Sequence, residues 1–419
     1  MPIQRIRVAN FKSFSEIEID LCRFNIVIGS NAAGKSNFIG IFKFLRDVAR
    51  YGLINAIAMQ GGADYIRNAK IGNSRDLEIM IVYQPDPTAE FLDRQGCDKP
   101  LLCMELCESS YEFALRFDSL GNGFSITKDR LVIGCDISAC PSQNPDEGKQ
   151  VIGRGEIRIT SEGGEIHYEV DIPEGCPLTD RDFVPLFFRG KRLPEKTLLL
   201  ETPYAYPLPH AEKFFERIAV YDFDPKLPKR GVAITGKRDL EEDGSNLALA
   251  VKNITDDPEK KRKFANLIRD VLPFVEDFSV QKFMDISLIL TLRERYAKGD
   301  LPAFSLSDGT ITIFDLIIAL YFEEKPFIVI EEPVSHIHPF LIGRIIAMMK
   351  EASAKKQVMI STHSTEVVKH ACLGDILLIS RDSEGFSILS RPADKEEVRT
   401  FLENEIGIEE LYIQNLLGQ

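Results

Sequence analysis

Residues 29–36, Gly29-Ser30-Asn31-Ala32-Ala33-Gly34-Lys35-Ser36, fit the pattern G-x-x-x-x-G-K-[ST] in full. Glycines at these places let backbone N–H groups face phosphate oxygens, and the N-terminus of a following helix adds its dipole. The Lys35 ammonium neutralises charge on β- and γ-phosphates, and the Ser36 hydroxyl can ligate Mg²⁺. A second candidate is "PFIVIEEPVSHIHP", where an apolar run delivers Glu331 and Glu332. One carboxylate there can hold the Mg²⁺ water shell while the next orients an attacking water. The same two glutamates can equally cap the helix that follows, since its dipole favours anions. Third is His363 in "ISTH"; a histidine in that setting is also a common structural residue, as are His336 and His338. Fourth is "LSDGT", residues 306–310, in which Ser307 or Asp308 reads as an N-cap and Gly309 as a turn.

These residues need elements to hold them. "FNIVIG" is a continuous apolar strand leading into the glycine loop, and residues 34–50 carry apolar side chains at helical spacing (Phe38, Ile41, Phe42, Leu45, Val48). "PFIVIEE" is a buried parallel strand whose C-terminal end carries the carboxylates, the end where ligands gather in an open α/β sheet. "QVMISTH" is a further strand, with helices expected at "TITIFDLIIALYF" and "PFLIGRIIAMMKEASAK". Upstream, residues 3–11 alternate as a half-buried strand does, and "IEIDL" completes a hairpin. Short alternating strands broken by Gly, Asn, Asp and Pro fill residues 76–172, an antiparallel lobe whose most loop-like part is "CDISACPSQNPDEGKQVIGRG". The expected division is 1–75, first part of a phosphate-binding α/β lobe; 76–175, antiparallel lobe; 176–300, a mixed and helical insertion; and 301–419, second part of the α/β lobe. A final strand pair, "DILLIS" and "GFSILS", precedes two charged helical stretches.

Composition narrows the function. The 419 residues are 44% hydrophobic and 27% charged, an ordinary globular balance with enough length for two or three lobes. The formal net charge of −13 argues against nucleic acid coating the whole surface. Local basic clusters (Lys226, Lys229, Arg230, Lys237, Arg238 and "KKRK" at 260–263) read either as a DNA groove or as solvated faces beside acidic "DLEED". "MPIQRIRVANFKSF" has no apolar core of a signal peptide, and no uncharged apolar run is long enough for a membrane span, so a cytoplasmic protein is expected. Cys97, Cys103, Cys107, Cys135 and Cys140 show no C-x2-C pairing and no nearby His, so reduced structural thiols are expected.

The order of the segments, read with "NFKSF" (10–14), "GSNAAGKSN" (29–37), "SLSDGT" (305–310), "IEEP" (330–333) with "HP" (338–339), and "STHS" (361–364), resembles the ABC-type ATPases of the RecF/SMC/OLD group, within the AAA family ATPases of the AAA-15 and AAA-21 types. The resemblance implies an α/β fold: a P-loop head with a mixed central sheet, an antiparallel lobe and a helical insertion, here without a long coiled coil. It implies ATP and Mg²⁺ as ligands, with nucleotide contacts from Ser30, Asn31, Ala32, Ala33, Gly34, Lys35, Ser36 and Asn37. Lys12 and Ser13 fall where relatives touch the base or ribose side. Ser36 and Glu331 would hold the metal, Glu332 would be the catalytic base and His363 the switch histidine. Ser307 and Gly309 would contact ATP held by a second copy, since relatives pack two heads head-to-tail.

Departures from the family pattern are Glu331 for the usual Asp, Val334 where relatives often carry Glu, and a Q-loop glutamine with only Gln60 and Gln84 as candidates. Relatives work in DNA repair or with nucleases and toxins in anti-phage defence (OLD, PARIS, Septu and retron-associated systems), and many carry a TOPRIM nuclease. Residues 365–419 are too few for that domain and lack a D-x-D cluster, so any nuclease is expected as a separate partner. Three readings follow: a slow dimeric ATPase switch acting on an effector, a repair ATPase that binds DNA itself, or a scaffold that uses ATP only to assemble.

Overall fold

Runs of period two and period 3.6 give this chain two separate folded units, seen in a computed structural model that describes residues 2–84, 89–92, 101–118, 123–140, 150–176, 190–202, 211–283, 287–403, 407–414 and 416–418. The chain opens with β1 (Ile3–Phe11), β2 (Phe14–Asp20), β3 (Phe24–Gly29), α1 (Lys35–Tyr51), α2 (Leu53–Met59), α3 (Ala63–Ile66) and β4 (Leu77–Tyr83). It continues through β5 (Ala89–Leu92), β6 (Leu101–Phe117), β7 (Phe124–Cys140), β8 (Gln150–Glu162), β9 (Glu165–Asp171), α4 (Ala211–Glu216), β10 (Ala219–Tyr221) and β11 (Val232–Ala233). Next come α5 (Leu247–Thr255), α6 (Pro258–Val271), β12 (Val275–Phe283), β13 (Ser287–Glu294), β14 (Asp300–Pro302), α7 (Asp308–Tyr321) and β15 (Phe327–Glu331). The last elements are α8 (Pro339–Ala352), β16 (Gln357–Thr362), α9 (Thr365–His370), β17 (Ile376–Arg381), β18 (Ser387–Ser390), α10 (Glu396–Glu403) and α11 (Ile408–Ile413).

Unit 1 comprises Met1–Leu21, Gly40–Arg217 and Arg381–Leu389. Its antiparallel sheet runs β2-β1-β4-β6-β7-β8-β9, with β5 paired to β6. Alternation places Leu77, Ile79, Ile81 and Tyr83 of β4 inward, as a sheet with one wet face requires. Phe44 of α1 packs between Phe11 and Phe113, with ring centroids 6.2 and 6.4 Å away. Residues 135–140 and 150–155, part of the stretch expected to be most loop-like, extend β7 and β8; residues 141–149 and Cys97 lie outside the described residues. The pairing of β7 with β8 shifts register between Ile137 and Ser138, which breaks the alternation a sequence reader relies on.

Unit 2 comprises Cys22–Ile39, Ile218–Ser380 and Ser390–Gln419. At its centre β10, β15, β16, β3 and β17 lie side by side and parallel. Every residue of β3 and β16, and Phe327–Ile330 of β15, is buried, which explains why these strands read as unbroken apolar runs. Residues 219–302 add the antiparallel strands β11-β13-β12 with β14 on β13, alongside helices α5 and α6. Phe264 of α6, Phe278 of β12 and Phe314 of α7 meet edge-to-face and join that sheet to the helices. Among the described residues no helix is long and apolar enough to cross a membrane.

Candidate functional site

Three neighbouring strands deliver the chemistry at their C-terminal ends. Ile28 of β3 stands beside Thr362 of β16, and Ser361 of β16 beside Glu331 of β15. The chain leaves β3 at Gly29, where a Cβ would come within 2.3 Å of the Ile379 carbonyl oxygen, so only glycine allows β17 this close. Ala32 (φ +61°) and Gly34 (φ +122°) then turn the backbone left-handed. The alanine costs roughly 1–2 kcal/mol in that conformation. α1 begins at once, with Phe38 N–H donating to the Gly34 carbonyl at 2.9 Å, and its N-terminus faces the loop. Lys35 donates from Nζ to the carbonyls of Gly29 (2.8 Å) and Ser30 (3.2 Å). Burial lowers the pKa of Lys35, an effect opposed by the negative charge of Glu332.

The two glutamates take different partners. Ser36 Oγ donates to Glu331 Oε2 at 3.3 Å, so the longer side chain reaches the serine in spite of its extra methylene. Glu332 is pinned at both ends. Its N–H donates to the Ser361 carbonyl (2.9 Å), and its backbone holds φ at +42°, strained for a non-glycine residue. Its Oε1 lies 2.7 Å from His363 Nδ1, and its Oε2 accepts from Thr362 Oγ1 at 3.1 Å. The helix after this turn has its own cap: His338 accepts from Phe340 N–H at 3.3 Å, with Pro339 in the first helical position. Helix capping is therefore not what Glu331 and Glu332 do. Thr362, fully buried, escaped the sequence reading because it looks like an ordinary strand residue.

"LSDGT" forms the start of α7. Ser307 is its N-cap, accepting from Thr310 N–H at 3.1 Å and sharing a hydrogen with Thr310 Oγ1 at 2.8 Å. Asp308 meets Lys229 at 2.5 Å, and that ammonium holds its carboxyl below the usual range. Gly309 is required by packing, because a Cβ there would sit 2.5 Å from the His336 carbonyl oxygen. His336 belongs to a braced turn, with Ser335 N–H on the Glu332 carbonyl (3.2 Å) and Ile337 N–H on the Val334 carbonyl (3.0 Å).

Thus residues 29–36 with Glu331, and Glu332 with Thr362 and His363, come together at the C-terminal ends of β3, β15 and β16. Lys12 and Ser13 belong to unit 1: Lys12 Nζ lies over the Phe11 ring and beside Gly40, with burial lowering its pKa, and Ser13 bonds Ser387 at 2.8 Å. Gln84 pairs with Gln4 at the end of β4 and Gln60 closes α2. Of the basic residues, Lys229 is held by Asp308, Lys237 by Glu241 at 3.2 Å, and Lys263 lies over Tyr321 and Phe322.

A glycine loop on a buried parallel strand, with serine, lysine and paired carboxylates at neighbouring strand ends, defines a P-loop nucleotide-binding protein of mixed α/β build. Two family models match the chain, "AAA ATPase domain" over residues 1–139 and "AAA domain, putative AbiEii toxin, Type IV TA system" over residues 191–369. Together the two models cover more than half of the chain, which belongs to the AAA ATPases. Among solved structures it is similar to an SMC head bound to the C-winged helix domain of ScpA, at 15% identity and TM-score 0.47, over 93% of this chain and 97% of that one. It is also similar to the SMC head domain from Thermotoga maritima (13% identity, TM-score 0.41, 93% and 99% covered). A third is the Pyrococcus furiosus Smc head with an extended coiled coil bound to the C-terminal domain of ScpA (14%, 0.43, 96% and 98%). No curated protein matches the chain.

Proposed function

We propose that this ATPase is a slow molecular switch that closes as a head-to-tail homodimer around ATP and hydrolyses it to reset. The observation that carries this is Glu332, a carboxylate fixed by Thr362 and His363 beside Ser36, Glu331 and Lys35. Its backbone strain and double tether suit a general base, whose position must not wander. Ser36 and Glu331 offer the hard oxygen donors that Mg²⁺ prefers, and they already lie within hydrogen-bond reach of each other. The metal would supply charge neutralisation at the phosphates. Lys35 would exchange two neutral carbonyls for phosphate oxygens, and His363 would hold Glu332 in line.

Ser307 is exposed at the N-terminus of α7, a place where anions are favoured, which supports contact with nucleotide on a second copy. Reach of Glu331 to Ser36 favours hydrolysis over a pure scaffold role. Internal engagement of Lys229, Lys237 and Lys263 weighs against a DNA groove built from those clusters. One family description, a putative toxin of a type IV toxin–antitoxin system, supports a defence setting, and within it we propose control of a separate effector, a nuclease or toxin, in defence or DNA maintenance. The test is Lys35→Ala, which should abolish ATP binding and phosphate release together. An unchanged ATP dissociation constant would sink the assignment.

A further inference from the structure

Helix α11 carries a site residue that no motif foretold. Leu411 is fully buried and the helix packs on α9, the helix that follows His363. This seats the Tyr412 hydroxyl 3.4 Å from the Gly29 carbonyl, the oxygen that also accepts from Lys35 at 2.8 Å. Gly29 is buried at the end of β3, beside Ile379 of β17, and side chains reach its carbonyl from two directions, Lys35 and Tyr412. The phenol stays a donor: burial raises its pKa, the bond to Gly29 opposes this and the charge of Glu332 adds to it.

When Lys35 turns toward phosphate oxygens, the buried Gly29 carbonyl loses a charged donor, and the free energy of that bond is recovered in part if another donor moves in. We propose that Tyr412 is a positioning residue for nucleotide, closing on Gly29 as Lys35 leaves, so that the loop keeps its shape and the C-terminal helix registers occupancy. At 3.4 Å the Tyr412 contact is longer than an ordinary O–H···O bond and has room to shorten. The inference rests on the reading that ATP binds the 29–36 loop.

The experiment uses the full chain and a non-hydrolysable ATP analogue with Mg²⁺. Tyr412→Phe removes one oxygen and keeps the ring, and it should weaken binding by about three- to tenfold in calorimetry. Its melting temperature without nucleotide should match wild type, while the rise on adding nucleotide should shrink. The chain has no tryptophan, so Tyr412→Trp supplies a single tryptophan whose selectively excited emission should change along the calorimetric binding curve. That change should vanish in the double variant with Lys35→Ala. Wild-type affinity in Tyr412→Phe, an equal loss of melting temperature with and without nucleotide, or a silent Tyr412→Trp overturns the proposal. Wild-type protein that binds no analogue overturns the nucleotide reading as well, and this is seen before any Tyr412 variant is made.

Discussion

Asp315 lies in the middle of α7, wholly buried, with both carboxylate oxygens lacking a hydrogen-bond partner among the described residues. It is packed so tightly on the loop at Gly244 that a Cβ there would stand 2.9 Å from Oδ2. Burial first, and the negative charge of Asp243 second, raise its pKa well above the ordinary carboxylate value. The sign follows from linkage. With the folded pKa above the unfolded one, the unfolded chain gives up its proton first, so stability is complete at low pH and is lost as pH rises through the folded pKa. Asp315→Asn keeps the volume and cannot ionise. Relative to it, the wild type should lose about 1.4 kcal/mol per pH unit above the ordinary carboxylate pKa, until the folded carboxyl ionises and the curves run parallel. Urea unfolding followed by far-UV circular dichroism from about pH 5 to about pH 8 measures this difference, and other titrating groups cancel between the two proteins. Parallel curves over the whole range, or an Asn variant less stable than wild type at the alkaline end, would refute the reasoning.

Other perturbations address the site and its support. Glu332→Gln should trap an ATP-bound dimer visible by light scattering; a permanent monomer under every nucleotide condition contradicts contact in trans. Ser307→Arg should cost ATPase activity and leave ATP binding intact, whereas normal turnover returns the turn to a plain helix cap. Gly309→Ala should destabilise the fold by about 1–3 kcal/mol through collision with the His336 carbonyl, measured by thermal unfolding, so its loss of activity alone says nothing of nucleotide contact. Asp129, raised to about 7 by burial against the bonds from Leu199 N–H and Tyr111 and by nearby Glu201, should make stability fall by up to about 1.4 kcal/mol per pH unit between its ordinary pKa and 7. In Asp129→Asn that slope should be shallower in the same denaturation assay.

Much of the site was legible because its signals are local. A buried strand, a glycine loop and a helix start are contiguous in residues 24–39, and the apolar run before Glu331 needs no partner to be seen. Thr362 and Tyr412 were not legible, since each matters only through a neighbour about 30 or more positions away in sequence, Glu332 and Gly29. Strand β12 was hidden for another reason: its pairing with β13 shifts register between Val275 and Asp277, so the alternation of "VEDFSVQKF" changes phase within the strand. The roles of the glutamates were ambiguous in sequence because capping of α8 by His338 depends on where that helix begins, which propensity leaves uncertain by a residue or two.

The contact of Gly309 with the His336 carbonyl has a consequence for inheritance. The braced turn from Glu332 to Ile337 lies against the start of α7, so under the proposed head-to-tail pairing a polypeptide would not deform the turn that carries Glu332 without moving the edge it would offer to its partner. If that pairing holds, mixed pairs would form in a cell expressing an intact and a damaged allele, and a lesion on one polypeptide would silence both clefts. Alleles altered at this joint should therefore behave as dominant, and those that merely prevent folding as recessive.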